Sequence, residues 1–104
     1  MLMQVAAEGQ APISRSRHTA TLIGSNLVVF GGVGGGRPLN DLFVLHTGST
    51  GSGMFWNEPI ANGVTPPARV GHASAIVGTK IVLFGGHDGK QCLNDLHVLV
   101  TMNW

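Results

Sequence analysis

Short apolar segments and glycine-rich turns alternate along this chain. Segments such as 27–30 and 81–84 are rich in β-branched and aromatic residues, and groups of Gly, Ser, Thr and Asn lie beside them. No segment keeps the 3.6-residue apolar period of an amphipathic helix over ten residues. The pattern therefore predicts short β-strands joined by tight turns.

The whole pattern occurs twice. When the sequence is shifted by 54 residues against itself, 15 residues between positions 12 and 45 meet an identical residue without a gap. Similarity at a fixed period is typical of repeat architectures. We therefore divide the chain into the fourth strand of a preceding repeat with a linker (1–11), repeat one (12–65) and an incomplete repeat two (66–104).

Each repeat predicts the same series of strands. In repeat one we expect strands at 18–23, 27–31, 41–46 and 55–61. In repeat two we expect them at 72–77, 81–85 and 95–100, and Trp104 begins a fourth. The glycine-containing segment between the first two strands of each repeat is typical of a tight hairpin turn.

Four motifs recur in both repeats and together resemble the kelch repeat. They are a Pro-x-x-Arg-x-x-His lead-in, an apolar strand ending in Gly-Gly, an Asn-Asp pair, and an aromatic residue that opens the fourth strand. The residues that carry them are Pro12, Arg15, His18, Phe30, Gly31, Gly32, Asn40, Asp41 and Trp56, and then Pro66, Arg69, His72, Phe84, Gly85, Gly86, Asn94, Asp95 and Trp104. Leu2 departs from the pattern, because it stands where an aromatic residue is expected.

The resemblance implies a fold class: all-β, with two four-stranded antiparallel kelch-type blades that form part of a β-propeller. A propeller typically has about 4–8 blades, so two blades do not close a ring. The resemblance therefore implies either a fragment of a longer protein or self-association that completes a propeller.

The composition argues against several classes of partner. Charged residues make up 11% of the chain and the formal net charge is +1, so there is no basic footprint for nucleic acid and no polybasic patch for a membrane. Cys92 is the single cysteine, and residues 1–10 lack the basic and apolar regions of a secretory signal. These features predict a reducing, cytoplasmic location.

No cofactor, metal or catalytic site is predicted. The segment 31–36 looks like a phosphate-binding glycine loop, but Arg37 stands where that motif needs its last glycine, and a strand follows instead of a helix. His18 and His72 are equivalent in the two repeats, which favours an architectural role, and zinc-ligand spacings are absent. No nucleophile with a base can be placed, so we do not expect an enzyme.

Two arginines are candidates for partner binding. The second strand of each repeat ends where the first begins, so the segments 8–17, 32–40, 62–71 and 86–94 are expected on one face. The resemblance to kelch substrate adaptors implies that Arg15 and Arg69 line a pocket mouth and bind acidic peptide motifs, in which case Arg69→Ala weakens binding with little loss of stability. In the structural alternative, each arginine pairs with an aspartate of a neighbouring blade.

Loop residues that differ between the repeats are candidates for partner specificity, because the repeat architecture does not require them. Together with the two arginines, the candidate partner-binding set is Arg15, Arg17, Arg37, Arg69, His87, Asp88, Lys90 and Gln91.

The leading hypothesis for function is a protein–protein interaction module of a kelch propeller, which recognises a protein or peptide partner, with acidic character, on its loop face. The alternative is a fragment or regulatory domain of a propeller-containing enzyme whose catalytic part lies elsewhere. The sequence leaves both hypotheses open.

Overall fold

Every regular element among the described residues is a β-strand. The structure is a computed structural model and describes residues 2, 4–48, 53–59 and 65–100. The strands are β1 Thr19–Ile23, β2 Asn26–Phe30, β3 Val33–Gly34, β4 Arg37–Pro38, β5 Leu42–His46, β6 Phe55–Asn57, β7 Ala73–Val77, β8 Lys80–Phe84 and β9 Leu96–Val100. The predicted all-β fold is confirmed.

Each repeat forms its own antiparallel sheet. The strand order is β1-β2-β5-β6 in repeat one and β7-β8-β9 in repeat two. The registers are equivalent, since Thr19 lies opposite Phe30 and Ala73 lies opposite Phe84. The fourth strand predicted to begin at Trp104 lies outside the described residues.

Two segments of repeat one differ from the prediction. The loop 32–40 contains a small hairpin, β3–β4, because Gly35 and Gly36 have positive φ angles of 60° and 78° and form a tight two-residue turn. Strand β6 ends at Asn57, before Pro59, which has no N–H to donate to a neighbouring strand. The end of the predicted strand, residues 60 and 61, lies outside the described residues.

Residues 4–11 contact the outer edge of repeat one. Glu8 forms a parallel bridge with Phe55: its N–H donates to the carbonyl of Met54 at 2.9 Å, and its carbonyl accepts from the N–H of Trp56 at 2.8 Å. Residues 4–11 contain no strand. The assignment of 1–11 to a preceding repeat stays a prediction.

The hydrophobic core lies between the two sheets. Its buried side chains are Val28, Phe30, Leu42 and Val44 of repeat one with Ile81 and Leu83 of repeat two. Because both repeats contribute, each sheet depends on the other to keep its apolar face away from water.

Polar contacts join the inner strands β1 and β7. The hydroxyl oxygens of Thr21 and Ser74 lie 2.6 Å apart and share a hydrogen bond, and the Thr19 hydroxyl lies 2.7 Å from His72 Nε2. The two sheets are therefore held side by side by hydrogen bonds as well as by the core.

The second glycine of the Gly-Gly pair allows a close approach of two backbones. Gly32 has a φ of 93°, and its N–H donates to the Arg69 carbonyl at 2.9 Å. A Cβ at this position would lie 2.6 Å from the Ser16 carbonyl oxygen and 2.9 Å from the His18 nitrogen. Since both neighbours are backbone atoms, the position excludes any side chain.

We expect Gly32→Ala to destabilise the protein much more than Gly24→Ala. Both glycines have positive φ, but a Cβ on Gly24 would meet nothing within 4 Å. Gly24→Ala should cost about 1 kcal/mol through backbone strain, and Gly32→Ala at least about 2 kcal/mol more, because the backbone must also move. Urea unfolding of both variants measures the difference. Equal losses would contradict the packing constraint at Gly32.

Candidate partner-binding face

The connections β2–β5 and β8–β9 and the lead-ins to β1 and β7 lie at one end of the sheets. Strands β2 and β8 end there, and β1 and β7 begin there. We call this end the loop face and define it as residues 10–18, 31–41, 65–72 and 85–95. Glu8 does not belong to it, because Glu8 pairs with Phe55 at the opposite end of the sheet.

Arg15 ties three segments of repeat one together. Its Nη1 donates to Asp41 Oδ1 at 2.5 Å and to the Gly31 carbonyl at 3.1 Å, and its Nη2 donates to Asp41 Oδ2 at 2.8 Å. Its Nε donates to the Ile13 carbonyl at 3.2 Å. The lead-in to β1, the end of β2 and the start of β5 are therefore joined by one side chain.

Arg69 repeats this geometry in repeat two. It donates to both oxygens of Asp95, at 2.6 and 2.7 Å, and to the carbonyls of Gly85 and Pro67, at 2.9 and 3.1 Å. Bidentate pairs of this kind are among the strongest hydrogen-bonded contacts in proteins. The constant separation of 26 residues between arginine and aspartate is the sequence signal for the pairing.

Both arginine side chains are buried by these contacts. The exposed fraction of the side chain is 4% for Arg15 and 0% for Arg69. The structural alternative from the sequence is corrected in one respect: each arginine pairs with the aspartate of its own repeat, not with that of a neighbouring blade. The pairing follows from the antiparallel register, which brings the two strand ends of one sheet together.

The two ion pairs have different neighbours. The Arg15 guanidinium lies over the Phe43 ring, 5.8 Å from its centroid. The equivalent residue in repeat two is His97, whose Nε2 lies 2.8 Å from Asp95 Oδ2. The hydrogen bonds from Arg69 and, to a smaller degree, His97 hold the pKa of Asp95 well below its usual range.

The remaining candidate residues lie in exposed parts of the loop face. The side chains of Arg17, Arg37 and Lys90 are exposed and have no ion-pair partner within the described parts of the chain. Gln91 is also exposed, whereas His87 is half-buried. The structure thus separates the candidate set into two buried arginines and a group of accessible loop residues.

Asp88 shapes the loop of repeat two. Its Oδ1 accepts the N–H groups of Lys90 and Gln91, each at 2.9 Å, while His87 Nδ1 accepts the N–H of Gly89 at 2.8 Å. The backbone hydrogen bonds, that of Gln91 first, lower the pKa of Asp88. The carboxylate is therefore occupied by its own loop.

The charge of the loop face is positive. The loop face contains five of the six Lys and Arg residues and three of the five carboxylates. Two of those carboxylates pair with buried arginines and the third accepts backbone N–H groups. Five cations and three carboxylates leave the loop face with a formal charge of +2, and its exposed cations Arg17, Arg37 and Lys90 have no ion-pair partner among the described residues. A cleft of about 260 Å³ lined by Phe43, Trp56, Gln10, Asn57 and Glu58 lies on the outer part of repeat one and contains none of the candidate residues.

The whole chain, residues 1–104, matches the KLHDC2/KLHL20/DRC7 Kelch-repeats domain. The chain belongs to the kelch-repeat family. The predicted resemblance is confirmed. In this chain the arginine and aspartate of the kelch motifs form ion pairs, and the Gly-Gly ends of the second strands allow close packing of the backbone.

Several relatives contain a similar segment. The chain is 42% identical over 96 residues to a probable serine/threonine-protein kinase of Dictyostelium discoideum, which covers 89% of the chain and 7% of that protein. It is 41% identical over 100 residues to acyl-CoA-binding domain-containing protein 4 of Arabidopsis thaliana, covering 92% of the chain and 14% of that protein. It is 32% identical over 116 residues to human Kelch domain-containing protein 1, covering 93% and 29%. The chain spans less than a third of each of these proteins.

His72 is the buried histidine of the kelch lead-in motif. Its ring packs edge-on against Phe30, with centroids 5.5 Å apart, and its Nδ1 has no hydrogen-bond partner among the described residues. Burial, followed by the charges of Arg69 and His18, lowers the pKa of His72 below 6.5. The neutral imidazole is thus the form that fits between the two repeats.

Within the described residues, no group of three or more His, Cys, Asp and Glu side chains is placed to hold a metal ion. Over the same residues, no helix is long and apolar enough to cross a membrane. The sequence expectation that the chain needs no metal or cofactor stays a prediction.

The burial of Arg69 changes the expectation for Arg69→Ala. Removing the guanidinium leaves the Gly85 carbonyl and the Asp95 carboxylate without their main donor. We expect the free energy of unfolding to fall by on the order of 2 kcal/mol, because the buried Gly85 carbonyl loses its donor and a cavity replaces the side chain. Chemical unfolding should show this loss for Arg69→Ala but a change within about 0.5 kcal/mol for exposed Arg37→Ala. A loss below about 1 kcal/mol for Arg69→Ala would contradict an architectural role.

His72 predicts a loss of stability on mild acidification. Its folded pKa lies below the value of 6.5 for a free imidazole, so the unfolded chain takes up the proton first as the pH falls below 6.5. Stability is therefore complete above that pH and declines towards pH 5. Urea unfolding at pH 7.5 and 5 should show a smaller pH effect in His72→Gln than in the wild type. His46→Gln is the control and should keep the wild-type pH effect, because His46 lies at the far end of β5 and is not one of the charges that act on His72.

Proposed function

We propose that this chain recognises an acidic protein or peptide through its loop face. Kelch-repeat domains are protein–protein interaction modules, and this family membership supports binding in general. The observation that carries the acidic character is the imbalance of unpaired charge: Arg17, Arg37 and Lys90 are exposed without an ion-pair partner among the described residues, whereas two of the three carboxylates of the same face are paired with buried arginines. Arginine binds carboxylates in a bidentate manner and suits this role.

The candidate residues divide into two groups with different tasks. Arg15 and Arg69 hold the loops in place through their aspartates and act on a partner through that placement. The direct contacts belong to the accessible group, which is Arg17, Arg37, His87, Asp88, Lys90 and Gln91.

The backbone of Arg17 supports a direct role for this residue. Its φ is 59°, and it is the non-glycine residue with a positive φ among the described residues. The equivalent position in repeat two is Gly71, with a φ of 68°. A side chain in this conformation costs on the order of 1 kcal/mol. An exposed arginine that keeps this cost where the other repeat has glycine is best explained by a use outside the fold.

A second candidate function is a regulatory segment of a larger enzyme. The names of two relatives support it: the Dictyostelium kinase, of which the chain covers 7%, and serine/threonine-protein phosphatase BSL2 of Arabidopsis thaliana, 37% identical, of which it covers 9%. In this case the loop face binds the catalytic domain of the same polypeptide. A kinase or phosphatase domain from the same polypeptide, added as an isolated domain, would then bind this chain, whereas an unrelated acidic peptide would not.

We also propose that repeat two packs against a further kelch repeat, which a second copy supplies in a solution of this chain. Apolar side chains of β9 support this, since Leu96 and Val98 are 63% and 51% exposed. Contiguous exposed apolar surface favours association.

The free, exposed thiol of Cys92 is compatible with the reducing, cytoplasmic location that we propose.

Arg17→Gly tests the acidic-partner proposal. The substitution relieves the left-handed strain, and the greater freedom of glycine in the unfolded chain offsets part of this gain, so the free energy of unfolding should be unchanged or rise by up to about 1 kcal/mol. Binding of a fluorescein-labelled Glu-rich decapeptide, followed by fluorescence polarisation, should weaken about tenfold through loss of a charge-assisted contact. Binding therefore weakens without a loss of stability.

Lys80→Gln is the matched control, because it removes one positive charge at the far end of the hairpin β7–β8. It should leave peptide binding nearly unchanged. Equal weakening by both substitutions would indicate general attraction by net charge, and unchanged binding in Arg17→Gly would exclude Arg17 from the contact.

A further inference from the structure

The same apolar face is covered in repeat one and open in repeat two. We call it the trailing face: Val28, Phe30, Leu42 and Val44 in repeat one, and Val82, Phe84, Leu96 and Val98 in repeat two. The residue types are identical at all four positions. Phe30 is 1% exposed and Phe84 is 51% exposed; Val44 is 0% and Val98 is 51% exposed. The difference arises because repeat two covers the trailing face of repeat one.

The opposite side of each sheet is the covering surface, which we call the leading face. In repeat two it includes Ile81 and Leu83, each 1% exposed, and Ser74 of β7, which contacts Thr21 of β1. The equivalent positions of repeat one are Leu27, which is half-buried, and Val29, which is 6% exposed. On the adjacent strand of the same face, Leu22 is 57% exposed and Ala20 is also exposed. One chain therefore has both halves of the contact: an open trailing face on repeat two, and on repeat one a leading face that is open along β1 at Ala20 and Leu22.

The inner strands β1 and β7 differ between the contact of the two repeats within one chain and a contact between two copies. Inside the chain, Thr21 of the trailing side is hydrogen-bonded to Ser74 of the leading side. At the open trailing side the residue equivalent to Thr21 is Ala75, and on the leading side of repeat one the residue equivalent to Ser74 is Ala20. Both alanines are exposed. The contact within the chain therefore pairs two hydroxyl groups, whereas a contact between two copies would pair two methyl groups.

From this matching we infer that a second copy docks head to tail, so that Ala20 on its leading face lies against Ala75 on the trailing face of the first copy. The two pairs, Thr21–Ser74 within a chain and Ala75–Ala20 between copies, then determine which repeats become neighbours. The inference rests on the self-association proposed above and names its register. A threonine or serine hydroxyl placed against an alanine in this buried strand pair loses its hydrogen bond with water and gains none. Mismatched neighbours are disfavoured for that reason.

The contact between copies is weaker than the internal one at one position. Within the chain, His72 has the Thr19 hydroxyl as its partner. Between copies the equivalent pair is His18 with Ala73, which has no hydroxyl. The association is heterologous, so its geometry closes into a ring or continues as an open array. A ring of two to four copies has about 4–8 blades, the usual range for propellers.

A double-substitution cycle on the full 104-residue chain tests the inference. Sedimentation equilibrium gives the association constant of the wild type, Ala75→Thr, Ala20→Ser and the double variant. Each single substitution should weaken association about tenfold, since it buries one unpaired hydroxyl. The double variant recreates the Thr21–Ser74 pair between copies and should return to within about threefold of the wild type.

Ala73→Thr provides an independent gain of association, because it offers His18 the hydroxyl that Thr19 offers His72. It should strengthen association about fivefold, as expected for one added hydrogen bond. Ala11→Thr, outside both faces, is the control and should have no effect. Unfolding midpoints confirm that each variant is folded; threonine is favoured in strands.

The outcomes separate the two proposals. A chain that stays monomeric at every concentration would overturn self-association and this register together. Association that is unchanged by Ala75→Thr and Ala20→Ser, or that is weakened without recovery in the double variant, overturns the register alone and leaves self-association standing.

Discussion

The buried arginine of each repeat is the contact on which the rest of the structure depends. Arg69 is completely buried, and its guanidinium satisfies a carboxylate and two backbone carbonyls from three separate segments. These segments are the lead-in to β7, the end of β8 and the start of β9. Without such a group the buried Gly85 carbonyl and the partly exposed Asp95 carboxylate would lose their main donor. The Arg69 side chain therefore fixes the strand ends of the sheet and the start of the loops that form the loop face.

The two glycines after β2 make this arrangement compatible with close packing of the repeats. The N–H of Gly32 donates to the carbonyl of Arg69, so the strand end of repeat one is hydrogen-bonded to the residue that organises repeat two. The architecture of one repeat is thus coupled directly to its neighbour. A repeat protein built in this way transmits the placement of one loop to the next through backbone contacts.

The division between buried and accessible charge explains how one face supports both architecture and binding. Asp41 and Asp95 are paired with buried arginines, whereas the exposed cations Arg17 and Lys90 have no ion-pair partner in the described part of the chain. The repeat positions provide the frame, and the positions that differ between the repeats provide the chemistry offered to a partner. Arg17 combines both properties, since it occupies a frame position that is Gly71 in the other repeat.

The amino-acid sequence by itself determined the all-β fold, the two repeats and the positions of the seven main strands, to within a residue at most ends, because these follow from local apolar patterns and from a 54-residue self-match. It did not show the hairpin β3–β4, which depends on two consecutive glycines adopting positive φ. Only the tertiary structure decided which aspartate each arginine binds, that Arg69 is buried while Arg17 is exposed, and that Thr21 meets Ser74. These contacts join residues 26 and 53 positions apart. Their existence depends on strand register and on the packing of one sheet against the other, and neither is encoded in any local segment.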